Sequence, residues 1–262
     1  MLQSMAIAAR RALLVAKTPA KNLTGARGYC LAAIDEQTGI LVRLVAVCGE
    51  AMPFWRSCDV RGMDVGTHVL YVRCAWTPPA WLDRYPHKSD DVACSLVSIA
   101  EANPDRVSLF DVLTPLTQPS LCATWPAPLR LTHKAVRVDS KAASFAVVSG
   151  MLTRLSLLEH RSGHAELQLQ DGSSLHGIRV MCTGQLRELI SELPPSGEPL
   201  LRGIFIIGLT RANKDCPNSC GMLLVGCAKQ TPNRSRESRR ESKLAPRVCV
   251  ETVKEEEDIC MH

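Results

Sequence analysis

Residues 29–47 read Tyr29-Cys-Leu-Ala-Ala-Ile-Asp-Glu-Gln-Thr-Gly-Ile-Leu-Val-Arg-Leu-Val-Ala-Val47. Two apolar runs flank the polar segment Asp35–Gly39, and this pattern predicts a β-hairpin with a glycine in its turn. A looser counterpart follows in the second half of the chain, where the turn residues Asp171-Gly172 come after an apolar run at 165–170. Hairpins of this kind are typical of small closed β-barrels rather than of parallel sheets covered by helices.

Further apolar runs on both sides of this hairpin predict strands. Outside the hairpin they are residues 11–17, 64–76, 93–99, 135–138, 156–159, 165–170, 175–180, 202–209 and 222–228. Two segments favour short helices instead: residues 104–113, which open with a proline, and residues 184–193, whose leucines and isoleucine follow helical spacing. The sequence therefore predicts a mainly β protein with short helices.

The length and composition favour two small domains. The chain has 262 residues and 46% apolar composition, enough to bury two cores. We expect a first barrel in residues 1–113, a proline-rich connection in residues 114–130 and a second barrel in residues 131–228. In residues 229–262 a basic block precedes an acidic one without any aromatic residue, which predicts a disordered tail.

Charge and cysteine content give weaker indications. There are 31 Lys and Arg residues against 26 Asp and Glu, a mildly basic balance compatible with a polyanionic partner. The 12 cysteines are scattered, several within apolar runs, as in proteins of the reducing cytoplasm. Arg10-Arg11 follow a short apolar stretch instead of preceding it, which is the wrong order for a secretory signal. We therefore expect a cytoplasmic protein with no membrane partner.

Several segments resemble a known family, the bacterial proteins described as having a dual OB-containing domain. The similar segments are Leu13–Thr18, Tyr29–Arg43, Pro86–Asp91, Gly208–Arg211 and Cys220–Cys227. They resemble the opening strand, the hairpin, a Pro-His-x-x-Glu-Asp loop and a closing Leu-Thr-Arg of that family, over about residues 11–228. The resemblance implies two tandem OB-like barrels and, by analogy, nucleic-acid binding. The segment 41–44, Leu-Val-Arg-Leu, replaces the family's usual Trp-Ile-Arg-Pro and so lacks an aromatic residue for base stacking.

Binding of single-stranded DNA or RNA requires cations along the phosphates and aromatic rings beside the bases. Both kinds of residue are frequent in the first half of the sequence, which favours the first barrel as the binding surface. The candidate contacts are Lys17, Arg27, Arg43, Trp81, Arg84 and Arg211. Arg211 has an alternative role, pairing with a carboxylate where the barrel closes. The sequence predicts a non-enzymatic nucleic-acid-binding module that could act within a larger nucleoprotein complex. Substitution of Lys17 and Arg43 is expected to weaken binding.

Two alternatives remain open at the level of sequence. In one, the barrels serve as a protein-interaction or scaffold subunit without nucleic-acid contact. In the other, His87, Asp90 and Asp91 form a metal-dependent hydrolase or nuclease site, although these residues also suit a loop that hydrogen-bonds to a strand end.

Metal and cofactor motifs are weak. Cys216, Cys220 and Cys227 have a spacing compatible with zinc, but a second Cys or His pair is missing nearby. The sequence also contains no P-loop, dinucleotide fingerprint, nucleophile elbow or His-Glu-x-x-His motif. We therefore expect no catalytic residue, no metal and no cofactor.

Overall fold

A computed structural model describes most of the segments that the sequence predicts as strands. The described residues are 8–21, 27–46, 54–75, 91–99, 108–125, 135–137, 143–157, 163–182, 185, 186, 188, 201–212 and 219–230. These residues are largely extended, with short helices between the two sets of strands. The mainly β class predicted from the sequence is confirmed.

The first barrel has five strands. They are β1 (Arg10–Lys21), β2 (Arg27–Asp35), β3 (Ile40–Ala46), β4 (His68–Arg73) and β5 (Asp91–Ile99). Their order is β1-β2-β3-β5-β4, and β4 pairs back with β1 to close the barrel. Every pair is antiparallel except β3 and β5. A three-stranded meander, one parallel pair and an antiparallel closure between the first and fourth strands give an OB-like barrel.

The hairpin predicted between residues 29 and 47 forms strands β2 and β3. Its turn is closed by the backbone N–H of Gly39, which donates to the carbonyl oxygen of Asp35 at 2.7 Å. Gly39 has a φ of 68°, a conformation that glycine adopts without steric cost. Local sequence therefore determines this part of the fold.

The second barrel repeats the plan of the first. Its strands are β7 (Phe145–Leu157), β8 (Gly163–Leu169), β9 (Ser174–Val180), β10 (Leu201–Ala212) and β11 (Ser219–Lys229). Their order is β7-β8-β9-β11-β10, β10 pairs back with β7, and only β9 and β11 run parallel. A short strand β6 (Ala135–Arg137) pairs with the beginning of β11. The tandem arrangement of two OB-like barrels is thus confirmed.

Strand β7 differs from its prediction. The sequence predicted only residues 156–159 as a strand, whereas β7 begins at Phe145. Ser149-Gly150 interrupts the apolar run and resembles a turn. In the structure Gly150 pairs with Leu169 of β8, and a Cβ on it would lie 2.6 Å from the carbonyl oxygen of Gln168. A close approach between two strands, and not a turn, therefore explains this glycine.

Short helices lie between the barrels. They are α1 (Leu109–Leu113), a 3-10 helix (Thr114–Leu116) and α2 (Leu121–Thr124). Leu121 and Trp125, within the predicted connection, are buried in the core of the second barrel, and the indole N–H of Trp125 donates to the carbonyl oxygen of Ala143 at 2.7 Å. The first part of this segment therefore packs as a component of the second barrel. The domain boundaries stay a prediction, and the tail beyond residue 230 lies outside the described residues.

The outer faces of the two barrels share an apolar core. The first barrel contributes Leu13, Val15, Ala16, Ala32 and Ile34, and the second contributes Val147, Ile204, Ile206, Val225 and Ala228. Both barrels accordingly belong to one compact unit, residues 1–230. The contact buries the outer side of β1 and β2. The helices within the described ranges are too short to traverse a bilayer.

Candidate nucleic-acid interface

Lys17, the first predicted contact, makes internal interactions. Its Nζ donates to the carbonyl oxygens of Val60 and Met63 at 3.1 and 3.0 Å. The same ammonium lies 5.2 Å from the centroid of the Tyr29 ring. These contacts tie the segment before β4 to the end of β1. A role for Lys17 in nucleic-acid binding stays a prediction.

Arg43, the second predicted contact, is held in an ion pair. Its Nε lies 2.5 Å from Oδ1 of Asp91, and both side chains are only 15% exposed. The two residues are partners in the parallel register of β3 and β5. Asp91 is also one of the three residues of the hydrolase alternative, and here it contacts a cation of the barrel wall.

We expect Arg43→Ala to lower the free energy of unfolding by about 1–3 kcal/mol, because it leaves the largely buried Asp91 carboxylate without this hydrogen-bond donor. Arg154→Ala is the matched control, since the Arg154 side chain is 77% exposed and lies 3.7 Å from Glu166. Such an exposed pair contributes little to stability. Urea denaturation of both variants measures the difference. Equal stability of the two variants would show that the strand pairing does not depend on the Arg43–Asp91 contact.

The other predicted residues are only partly described. Arg27 and Arg211 lie in β2 and β10, but their side chains lie outside the described part of the structure. The same holds for the whole of Trp81, Arg84, His87, Asp90 and Cys216. Nucleic-acid contact by Arg27, Trp81, Arg84 and Arg211 therefore stays a prediction.

Two of the three candidate zinc ligands, Cys220 and Cys227, are buried in the second barrel. Burial raises the pKa of Cys220 to about 11. A hydrogen bond with Cys182, together with burial, raises the pKa of Cys227 well above its usual value. Zinc binds thiolates, so these environments disfavour the ligand form. The described side chains contain no group of three or more His, Cys, Asp or Glu that could hold a metal ion.

Asp35 forms a buried polar cluster that the sequence analysis did not single out. Its side chain is fully buried and accepts hydrogen bonds from the Tyr71 hydroxyl, from Arg10 at 3.2 Å, and from the backbone N–H groups of Gln37 and Thr38 at 2.9 and 3.1 Å. Burial raises the pKa of Asp35, but these hydrogen bonds outweigh it and lower the pKa to about 2. The cluster joins β1, β4 and the hairpin turn. An acidic residue at the end of an apolar strand was its only sequence signal.

The outer surface of β8 and β9 is the exposed one. In β8, buried residues alternate with more exposed ones along the whole strand. Six polar side chains, here called the polar face, point outward from β7, β8 and β9: Arg154, His164, Glu166, Gln168, His176 and Arg179. They lie in successive rungs of the sheet, because His164 pairs with Arg179 and Glu166 pairs with Arg154. Rungs on one side of a strand are about 6.8 Å apart, so these groups form a continuous surface.

The polar face has a positive charge balance. Glu166 lies 3.7 Å from Arg154 and 3.8 Å from Nδ1 of His176, but both partners are more than 70% exposed. Exposed pairs of this kind exchange readily with solvent and ligands. Arg179 is exposed and makes no side-chain ion pair with a described residue. The polar face therefore contains two arginines, Arg154 and Arg179, and one carboxylate, Glu166.

A cleft of about 400 Å3 continues the polar face toward β10. Its lining includes Phe110 of α1, the polar residues Gln168, Gln170, Arg202 and Gln230, and the glycines Gly150 and Gly203. Gln168 belongs to both the cleft and the polar face. The alternation of polar residues along Gly163–Leu169 was the sequence signal for this surface, but sequence does not show which barrel keeps its outer face open.

Comparison with known proteins gives little information on function. No family model matches the chain, and no curated protein matches it. The chain is similar to a solved structure described as "Structure of murine DNA binding protein bound with ds DNA", at 8% identity and a TM-score of 0.33. The similarity covers 87% of this chain and 98% of that chain. At this TM-score the likeness carries no argument about function.

Proposed function

We propose that the protein is a non-enzymatic module that binds single-stranded nucleic acid along the polar face of its second barrel. OB barrels bind oligonucleotides on the face of their second and third strands. In the second barrel these strands are β8 and β9, and their outer side chains are exposed. The exposed polar face across β7, β8 and β9, with two arginines and one carboxylate, is the observation that carries the proposal.

The first barrel is a less suitable binding surface. Ala32 and Ile34, on the outer side of β2, belong to the apolar core shared with the second barrel. Arg43, on the neighbouring strand, is paired with Asp91. The sequence analysis favoured the first barrel as the nucleic-acid-binding surface, because cations and aromatic residues are frequent there. The exposure of the strand faces favours the second barrel instead.

The chemistry of the polar face suits phosphates more than bases. It offers the guanidinium groups of Arg154 and Arg179 and the imidazoles of His164 and His176, and none of its six members is a Phe, Tyr or Trp. Guanidinium groups bind phosphate oxygens in a bidentate geometry that is independent of base sequence. Binding should therefore show little sequence preference and a strong dependence on salt.

The scaffold alternative has less support. Among the described residues, the large apolar side chains that are exposed are Ile40 and Ile99. Protein-docking surfaces usually present a contiguous apolar patch, and single exposed isoleucines are ordinary surface residues.

We expect the double variant Arg154→Gln/Arg179→Gln to weaken binding and to flatten its salt dependence. Each phosphate contact on a single strand contributes a slope of about −0.7 to the plot of log K against log salt, so loss of two contacts reduces the slope by about 1.4. Fluorescence anisotropy with labelled single-stranded DNA and RNA, at several salt concentrations, measures both quantities.

The matched control is Arg61→Gln, which removes an exposed arginine from the first barrel. It should leave the slope nearly unchanged. Absence of binding to both DNA and RNA at low salt, or binding that does not respond to salt, would refute the proposed function.

A further inference from the structure

We infer that the cleft beside the polar face is a subsite for a single unstacked nucleobase of the bound strand. This inference rests on the proposed function, because it concerns the continuation of the same binding surface. It adds base stacking to a surface whose two arginines suit phosphates.

Two of the residues that line the cleft are glycines. Gly150 of β7 pairs with Gly203 of β10, and Ser149 and Met151 line the cleft on either side of Gly150. A Cβ on Gly203 would lie 2.2 Å from the carbonyl oxygen of Ala228, and a Cβ on Gly150 would lie 2.6 Å from that of Gln168. No larger residue fits at either position without movement of the backbone. The tight packing of the strands thus restricts these two positions of the lining to glycine.

The size of the cleft suits a small planar ligand. Its volume of about 400 Å3 lies toward the lower end of the range for small-molecule sites, about 300–1,000 Å3. Its lining combines the apolar residues Phe110, Met151 and Leu169 with a larger number of polar residues. One nucleobase with its sugar is a ligand of this scale.

Phe110 supplies the aromatic surface. It is the single aromatic residue among the described residues that line the cleft, and it is partly buried against the core shared by the barrels. Its helix α1 begins after Ser108, whose Oγ accepts a hydrogen bond from the N–H of Asp111 at 3.4 Å. The ring is therefore supported on one side by packed protein. A supported ring can stack on any of the bases, since all have a π face.

The polar lining matches the rest of a nucleotide. Gln168, Gln170 and Gln230 each carry an amide with donors and an acceptor, the groups that base edges pair with. Arg202 is exposed at the same cleft and supplies a cation for the adjoining phosphate. No carboxylate occurs among the described residues of the lining, so an anionic ligand meets no repulsion there. The ring, the amides and the guanidinium together select a nucleotide unit.

The test compares two labelled strands of equal length on the full chain, one of ordinary deoxynucleotides and one of abasic sites, by fluorescence anisotropy. Both strands carry the same phosphates and differ only in their bases. The wild-type protein should bind the ordinary strand more tightly, by roughly 5- to 150-fold for one stacked base. Phe110→Leu keeps an apolar side chain but removes the ring, and it should abolish this preference while leaving affinity for the abasic strand unchanged.

The matched control is Phe145→Leu. Phe145 is also partly buried against the core shared by the barrels, but it does not line the cleft. This variant should retain the preference for the ordinary strand. Arg202→Gln should retain it too, while the salt slope falls by about 0.7.

The outcomes separate the two proposals. Equal wild-type affinity for both strands, or a preference that survives Phe110→Leu, overturns the base subsite and leaves the phosphate-binding face in place. Equal competition by a free nucleoside monophosphate against wild type and Phe110→Leu also overturns it. Binding of neither strand overturns the proposed function and the subsite together.

Discussion

Replacement of Asp35 by alanine is expected to lower the free energy of unfolding by about 3–5 kcal/mol, the range found when one partner of a buried charge pair is removed. The carboxylate is fully buried and accepts hydrogen bonds from the Tyr71 hydroxyl and from Arg10. Its loss leaves the buried Tyr71 hydroxyl without that acceptor and removes the carboxylate acceptor of the Gln37 and Thr38 N–H groups, of which Thr38 keeps the backbone carbonyl of residue 35. Urea denaturation monitored by circular dichroism measures the change.

Glu36→Ala is the control for Asp35→Ala. Glu36 is the next residue along the turn and pairs with Arg11 at 3.3 Å and with His68 at 2.8 Å, but its side chain is 39% exposed. Its removal should therefore cost about 1 kcal/mol or less. If Asp35→Ala were no more destabilising than Glu36→Ala, the buried cluster would not hold the barrel together as described.

Acid unfolding provides a second readout of the Asp35 cluster. The pKa of Asp35 is lowered from 3.8 to about 2 in the folded protein, so folding favours the ionised form. The resulting stabilisation, about 2 kcal/mol, is fully present above pH 4 and is lost as the pH falls toward 2. In Asp35→Asn this part of the acid dependence should be absent. An identical decline in stability in wild type and variant between pH 4 and pH 2 would assign the effect to other groups.

Gly203→Ala is expected to destabilise the second barrel by about 3 kcal/mol or more, at the upper end of overpacking substitutions. The added Cβ would lie 2.2 Å from the carbonyl oxygen of Ala228 and 3.4 Å from the Cα of Lys229. Both are backbone atoms of β11 and cannot rotate away, so β10 and β11 must separate. Thermal denaturation of the full chain measures the loss.

The comparison for Gly203→Ala is Gly172→Ala, in the turn between β8 and β9. Gly172 has a φ of 84° and open space around it, so alanine there meets only backbone strain of about 1–2 kcal/mol. The two substitutions thus separate steric exclusion from conformational preference. A Gly203→Ala protein that melts within a few degrees of wild type would show that the strands can separate at little cost.

The strands that sequence predicted best are those determined locally. The hairpin 29–47 became β2 and β3 because its turn chemistry lies within five residues, and Asp171-Gly172 likewise forms the turn between β8 and β9. For β7 the sequence predicted only residues 156–159, whereas the strand begins at Phe145 and contains Gly150, whose place is set by the carbonyl oxygen of Gln168 on another strand. A constraint from another strand leaves no local signal.

The candidate site shows the same division. Lys17 and Arg43 are the right residue types for phosphate contact, yet their partners Met63 and Asp91 are 46 and 48 residues away in sequence. Residue type alone does not reveal such pairing. The exposed side of β8 is visible in its alternating pattern, but burial of β2 against the other barrel is a property of tertiary packing.

The two barrels have the same strand order, but the apolar core that they share makes equivalent strand faces differ in exposure. In the first barrel the outer side of β2 packs against the second barrel, whereas in the second barrel the equivalent side of β8 is exposed to solvent. Under the proposed function, repetition therefore does not double the capacity for ligand. Among the described residues one of the two equivalent strand faces is open, so this mode of binding predicts a stoichiometry of one strand per chain.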